Sequence, residues 1–141
     1  VTVRPARDSA EIEAAMELRV EVFVDEQGVD PGEELDDLDA ESTQIVALDE
    51  SGVIATCRLR YPEVAVCKLE RMVVKRRYRK QGVGASLLAR AEPEAREHGA
   101  STMVLNAQRR AEAFYAANGY VAEGEPFLDA GIEHVRMTKA L

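Results

Sequence analysis

Cysteine is scarce: Cys57 and Cys67 are the two in 141 residues, too few for a disulfide framework. In a reducing compartment they read as buried thiols. Neither stands in an activating context, and with His98 and His134 the only histidines available as base, a catalytic cysteine is set aside. No apolar run approaches the length that spans a bilayer. The opening stretch VTVRPARDSAE lacks the apolar middle of a secretory signal, so a cytoplasmic protein is expected. Repeats, low-complexity segments and linkers are missing too, and the length suits one core, so residues 1–141 are read as a single domain. The last absence is charge of one sign: no Lys or Arg occurs from Val20 to Cys57. With a net charge of -8 and a pI near 4.9, non-specific nucleic-acid binding, which requires net neutralisation of phosphates, is disfavoured.

That cation-free stretch carries twelve carboxylates, among them Glu26, Asp36 and Asp39. The opposite pole is a basic island, Lys75, Arg76, Arg77, Arg79 and Lys80, which remains compatible with a phosphorylated ligand. The elements follow from periodicity. VTVRPA reads as a first strand. DSAEIEAAMELRVEVFV reads as a helix with Ile12, Ala15, Met16, Arg19 and Phe23 on one stripe. The acidic DEQGVDPGEELDDLDAES is a loop with one helical turn. TQIVALD and VIATCRLRY form a hairpin, and Pro62–Glu63 turn the chain into the strand VAVCKLERMVV. A helix from about Gly82 to His98 has Val83, Leu87, Leu88, Ala91 and Ala95 on its apolar face, with Pro93 inside it and Gly99 as its stop. The strand STMVLNAQ, a short helix ended by Gly119, and the strands YVAEG and EHVRMTKAL complete an α/β chain with a mixed sheet.

Between the strand and the long helix lies RKQGVG. Amides at a helix N-terminus are unpaired and carry partial positive charge, and Gly82 and Gly84 let a phosphate approach the backbone closely. No Gly-Lys-Ser/Thr follows, which rules out a Walker loop, and the third glycine of a dinucleotide fingerprint is absent. Taken alone, the turn is equally consistent with a tight connection. Downstream, AEAFYAANGY places Phe114 and Tyr115 about 100° apart on a helix, so that one can face the core and the other a cleft.

RKQGVG, in the pattern R-x-x-G-x-G with Val74 five residues before Arg79, followed in order by AEAFYAANGY, resembles the GNAT superfamily of acetyl-CoA-dependent N-acetyltransferases. The resemblance runs from VTVRPA to HVRMTKAL. Arg19, Phe23, Glu26, Gln27, Asp36 and Asp39 match a branch of small members with an R-x-x-V-F-x-x-E-Q signature, as does GIEHVRM with His134. Two positions depart from that pattern: Gln108 stands where many relatives have Asn, and Gln44 where His is expected.

The resemblance implies a mostly antiparallel, splayed sheet of six to seven strands flanked by about four helices, with acetyl-CoA as donor, no metal, and an amine acceptor. By the same resemblance Arg79, Lys80, Gln81, Gly82, Val83, Gly84 and Ala85 would hold the diphosphate, and Met72, Val73 and Val74 would pair with the pantetheine arm. An N–H of Met72 or Val73 would be the oxyanion donor. Tyr115, also lining the cofactor site, would be general acid and Glu70 general base, the alternative for Glu70 being a salt bridge with Lys68 or Arg71. On the acceptor side stand Glu26, Asp36, Asp39 and His134. The acidic segment suggests a cationic acceptor, its alternative being a solvated surface. Relatives that dimerise through edge strands make a homodimer an open option. The rival functions are a non-catalytic CoA or acyl-CoA sensor, and a basic island that docks a protein or RNA.

Overall fold

In the computed structural model, which describes residues 1–141, the strands are β1 (Thr2–Pro5), β2 (Thr43–Asp49), β3 (Gly52–Glu63), β4 (Val66–Val74), β5 (Thr102–Gln108), β6 (Val121–Asp129) and β7 (Ile132–Ala140). The helices are α1 (Ser9–Arg19), α2 (Pro31–Glu34), α3 (Val83–Glu97) and α4 (Glu112–Ala117). One sheet contains all seven strands in the order β1-β2-β3-β4-β5-β7-β6, antiparallel except for the parallel pair β4–β5. The expected mixed, mostly antiparallel sheet with about four helices is what forms. No helix is long and apolar enough to cross a membrane.

Each start and stop has a local cause. Asp8, extended, caps α1 by accepting from the Glu11 N–H at 2.9 Å. α1 does not simply continue to Phe23: from Val20 to Glu26 the backbone widens into a π-helix. The inward face is Ala15, Leu18, Arg19 and Val22, while Ile12, expected inside and lying before the π-helix, is 38% exposed. β3 runs through Pro62, which sits in a register shift against β4 where no N–H is needed, and the chain reverses at Val64–Ala65 instead. α3 keeps Pro93 inside it, without the N–H that would have bonded Ala89. β6 is longer than YVAEG because β7 pairs with it as far as Asp129. Cys57 and Cys67 are free and buried.

The core lies between the sheet and α3, where Leu87, Leu88, Ala91 and Ala95 pack with Ile45, Leu59, Leu69, Met103 and Leu105. A fully buried leucine contributes about 1.5–3 kcal/mol. On the opposite face Leu18 and Val22 rest on Val73. The parallel pairing stops early: Val66–Leu69 face Thr102–Leu105, after which β4 follows β3 to Val74 and β5 follows β7 to Gln108. Glu70–Val74 therefore have no partner on the β5 side, and the two strands open into a gap.

That free stretch is irregular. Thr56 pairs with Val73 and Arg58 with Glu70, so Arg71 and Met72 together oppose Cys57 in a β-bulge, with Arg71 at φ +55°. Leu69 joins the α3-side core, Glu70 and Arg71 both reach charged groups on the α1 side, and Met72 returns to the α3 side. The left-handed conformation, costing a bulky residue about 1–2 kcal/mol, is held by ion pairs of Arg71 with Glu34 (2.8 Å) and Asp36 (3.3 Å). Arg58, with 0% exposure, makes a two-pronged contact to Asp36 (2.7 and 2.9 Å) and reaches Asp39 at 3.2 Å. Arg19, 1% exposed, bonds Glu34 and Asp39, each at 2.6 Å.

The Arg58 hydrogen bond holds the Asp36 carboxyl well below the usual carboxylate range. Burial works to raise Asp39, but its bonds to Arg19 and Arg58 outweigh it and the net shift is down. Depressed folded-state values mean stability that is present above the unfolded value and lost as pH falls. Urea unfolding of the wild type should therefore weaken progressively below about pH 4, where unfolded aspartates take up protons. Arg58→Leu should lose about 1–3 kcal/mol at pH 7, because it leaves the half-buried Asp36 and Asp39 carboxylates short of a partner, and its acid limb should be flatter. Equal stability and equal acid limbs in the two proteins would contradict this account.

Candidate active site

Tyr115 lies on α4, 8% exposed, and its hydroxyl donates to Met72 Sδ at 3.5 Å, on the part of β4 that β5 leaves unpaired. Phe114 and Tyr120 meet its ring edge-on, with centroids at 5.0 and 5.9 Å. Burial pushes the phenol above its ordinary value, so it keeps its proton at neutral pH. Phe114 points elsewhere: its ring covers Gly84, where an added Cβ would come within 3.0 Å of Cζ. A glycine at position 84 is thus needed for α4 to seat against the start of α3. The adjacent aromatics point apart, one onto α3 and one toward β4, and both pack with the same core.

The glycine turn leaves backbone donors without side-chain partners. After β4 a short 3-10 turn (Arg76–Tyr78) leads to Lys80 at φ +62° and Gly82 at φ +83°. No side chain caps α3, and its first internal bond runs from the Ser86 N–H to the Gly82 carbonyl at 3.1 Å. The N–H groups of Val83, Gly84 and Ala85 are left at the helix start, where the dipole favours negative charge. A Cβ on Gly82 would meet nothing within 4 Å, so that side of the turn is open. These donors fit a diphosphate. Gln81 steadies the turn by donating to the Arg77 carbonyl at 2.9 Å. Arg79 folds back, its Nε donating to the Val74 carbonyl at 2.8 Å and its Nη2 pairing with Glu26 at 3.0 Å.

The acceptor-side candidates do not converge. Asp36 and Asp39 lie under β3 and β4, paired with Arg58, Arg71 and Arg19 as described, rather than presenting free charge. Gln44, 5% exposed, belongs to the same cluster and donates to Asp39 at 3.0 Å. Glu26 is near the glycine turn through Arg79. His134 lies on β7 opposite Gln108, its Nδ1 2.7 Å from the Ile132 carbonyl and its ring stacked on Phe127. Glu70 is close to Met72 but is ion-paired: Arg60 donates to it, Arg58 stands at 3.3 Å and Lys68 at 3.8 Å, while Arg71 turns to Glu34. Burial acts to raise the Glu70 carboxyl, yet the Arg60 bond and the Arg58 and Lys68 charges prevail and lower it.

Reading the sequence missed Arg58 and Arg60 as partners, and placed Arg71 beside Glu70 where it pairs with Glu34 and Asp36. The alternation in CRLR held a signal, since two arginines on one face of a central strand need anions. It also missed the hydrogen bond from Gln108 Nε2 to Gln27 Oε1, 2.8 Å.

Residues 10–141 match the family described as acetyltransferase (GNAT) domain. The Bacillus subtilis protein named uncharacterized N-acetyltransferase YjcF is 40% identical over 135 residues, covering 95% of this chain and 96% of its own. An acyl-CoA N-acyltransferase from Pseudomonas aeruginosa superposes with a TM-score of 0.85 at 30% identity, over 99% of this chain and 98% of that one. A GNAT family acetyltransferase from Elizabethkingia anophelis, solved with acetyl-CoA bound, has a TM-score of 0.76 at 18% identity, over 99% and 97% of the two chains, a likeness of fold.

The ion pairing of Glu70 can be read directly. Its carboxyl should titrate below the ordinary glutamate value of about 4.3, and Arg60→Met should raise it. A carbon-13 titration of the side-chain carboxyls reports both, and a Glu70 at or above the ordinary value would refute the ion-pair assignment.

Proposed function

Because the chain belongs to the acetyltransferase (GNAT) domain family, we propose that it transfers an acetyl group from acetyl-CoA to an amine. The observation that carries this reading is the buried, protonated Tyr115 hydroxyl, held against Met72 on the unpaired stretch of β4. The fold neighbour solved with acetyl-CoA supports the choice of donor. Bound acetyl-CoA would supply an activated thioester carbonyl.

The chain's own residues have separable tasks. The amides of Val83, Gly84 and Ala85, with the Lys80–Gly82 turn and Arg79 beside them, would hold the diphosphate. Main-chain groups of Met72, Val73 and Val74, free of β5, would pair with the pantetheine arm. The N–H of Met72 or Val73 is the proposed donor to the carbonyl oxygen where negative charge develops. Tyr115 Oη would give its proton to the leaving sulfur. Its raised affinity for that proton keeps the acid form available through neutral pH.

Glu70 keeps the role of proton acceptor, through water, but as a weak base. An ammonium near the usual amine value of about 10 cannot be deprotonated efficiently by a carboxylate held low. The acceptor therefore reaches the site as the free amine, and kcat/KM rises with pH until the amine is neutral. His134 remains a candidate on the acceptor side. With Asp36 and Asp39 paired to arginines, the acceptor requires no second positive charge.

Acetyl-CoA should raise the melting temperature by mass action, and a panel of primary amines assayed by CoA thiol release should contain a substrate. Tyr115→Phe keeps the ring and its packing. It should leave CoA affinity within about two-fold and lower turnover by about 10²-fold. Full turnover in that variant would remove Tyr115 as general acid, and absence of any thermal shift would remove the cofactor.

A further inference from the structure

The gap between β4 and β5 is open at its wide end, and one short segment reaches both sides of it. The π-helix ends at Glu26, and Gln27 follows. Glu26 receives hydrogen bonds from Arg79 Nη2, at 3.2 Å to Oε1 and 3.0 Å to Oε2. Arg79 is itself fixed to the last residue of β4, through Nε to the Val74 carbonyl at 2.8 Å. The neighbouring Gln27 receives a bond from Gln108, the last residue of β5, at 2.8 Å. Gln108 is steadied in turn by Arg110 Nε at 3.0 Å. Two hydrogen-bonded arms, joined by the main chain between Glu26 and Gln27, thus connect the end of β4, through Arg79, to the end of β5, through Gln108.

The base of the two arms is rigid. Gln27 N–H bonds the Val22 carbonyl at 3.0 Å and Val29 N–H bonds the Phe23 carbonyl at 2.9 Å. Val22 and Leu18 pack on Val73 of β4. The two reaching side chains therefore project from a folded platform rather than a loose loop. Reach matters at the far end: Gln108 is one methylene longer than Asn, and a shorter side chain would leave Gln27 unpaired.

Resting on the proposal that the gap receives the pantetheine arm, we infer that Glu26 and Gln27 are positioning residues: a strap that fixes the separation of the β4 and β5 ends before the cofactor arrives. Two fastened ends are required. Releasing either one lets the gap breathe, so the ordering must then occur on binding, and cofactor affinity falls. Releasing the second end adds nothing, because a strap with one free end no longer sets a distance.

The test is calorimetric titration of the intact protein with CoA, alongside the melting temperature of each cofactor-free variant. Glu26→Ala and Gln27→Ala should each weaken CoA binding about five-fold, the scale of one lost hydrogen bond, and the double variant should also be about five-fold weaker. Two independent contacts would instead multiply to about 25-fold. Gln108→Asn should behave as Gln27→Ala does, and Glu26→Gln, which can still accept from Arg79, should restore most of the affinity lost in Glu26→Ala. A role confined to stability would lower the melting temperature and leave the affinity of the folded protein unchanged. Wild-type affinity in the alanine variants, tighter binding, or a multiplicative double variant overturns the strap while leaving the cofactor reading intact. No CoA binding by the wild type overturns the cofactor reading and the strap with it.

Discussion

Along a regular strand, successive side chains alternate, so Glu70 and Arg71 would face opposite sides of β4. The left-handed backbone at Arg71 cancels one step of that alternation. Both residues then reach the α1 side, and Met72 is returned to the side where Tyr115 waits. Without the bulge, Met72 and Val73 would exchange faces. Val73 would leave Leu18 and Val22, and the phenol would lose its sulfur partner. The position of the candidate acid relative to its strand thus depends on one unfavourable dihedral angle, and that angle persists because Glu34 and Asp36 grip the Arg71 guanidinium.

This gives the acidic segment a structural task. A buried carboxylate without a partner is costly, and so is a buried arginine. Arg19 from α1, Arg58 from β3 and Arg71 from β4 meet Glu34 at the end of α2 and Asp36 and Asp39 from the loop after it, and each charge compensates another. The loop needs no cation of its own because the neighbouring elements supply them. Its fold is therefore tied to the bulge: unpairing the loop would free Arg71 as well.

Much of this molecule is legible in its residues. Alternation and turn signals place the hairpins, the helix following RKQGVG begins where glycine and free amides require it, and the Phe114–Tyr115 pair divides between α3 and β4. The features that escape do so for physical reasons. Arg71 is neither Gly nor Asn, so nothing local announces φ above zero; the conformation is imposed by distant ion pairs. The π-helix after Arg19 cannot be read from a 3.6-residue period. An arginine in a strand ordinarily signals exposure, so the complete burial of Arg58 shows only once its carboxylates are in place. Glu70, Asp36 and Asp39 stand as acids in the sequence without their partners, and charge in a one-dimensional reading looks free.

The same point resolves how a chain of net charge -8 can suit an anionic cofactor. Net charge governs long-range behaviour, but salt screens exposed charges beyond about 8 Å at physiological ionic strength. Within that range what matters is which groups are near. Glu34, Asp36 and Asp39 are already matched by arginines. Glu13, Glu17, Glu21 and Asp25 line an outward groove along α1 and the π-helix. At the start of α3 the near field is set by the free amides of Val83–Ala85 and by the Lys75–Lys80 island, whose one close carboxylate from the acidic stretch, beyond the Asp49 that binds Tyr78, is Glu26. Glu26 sits against Arg79, next in the chain to Gln27. The negative charge nearest the glycine turn is thus held by the geometry that keeps the gap in shape, while Glu34, Asp36 and Asp39 are internally compensated.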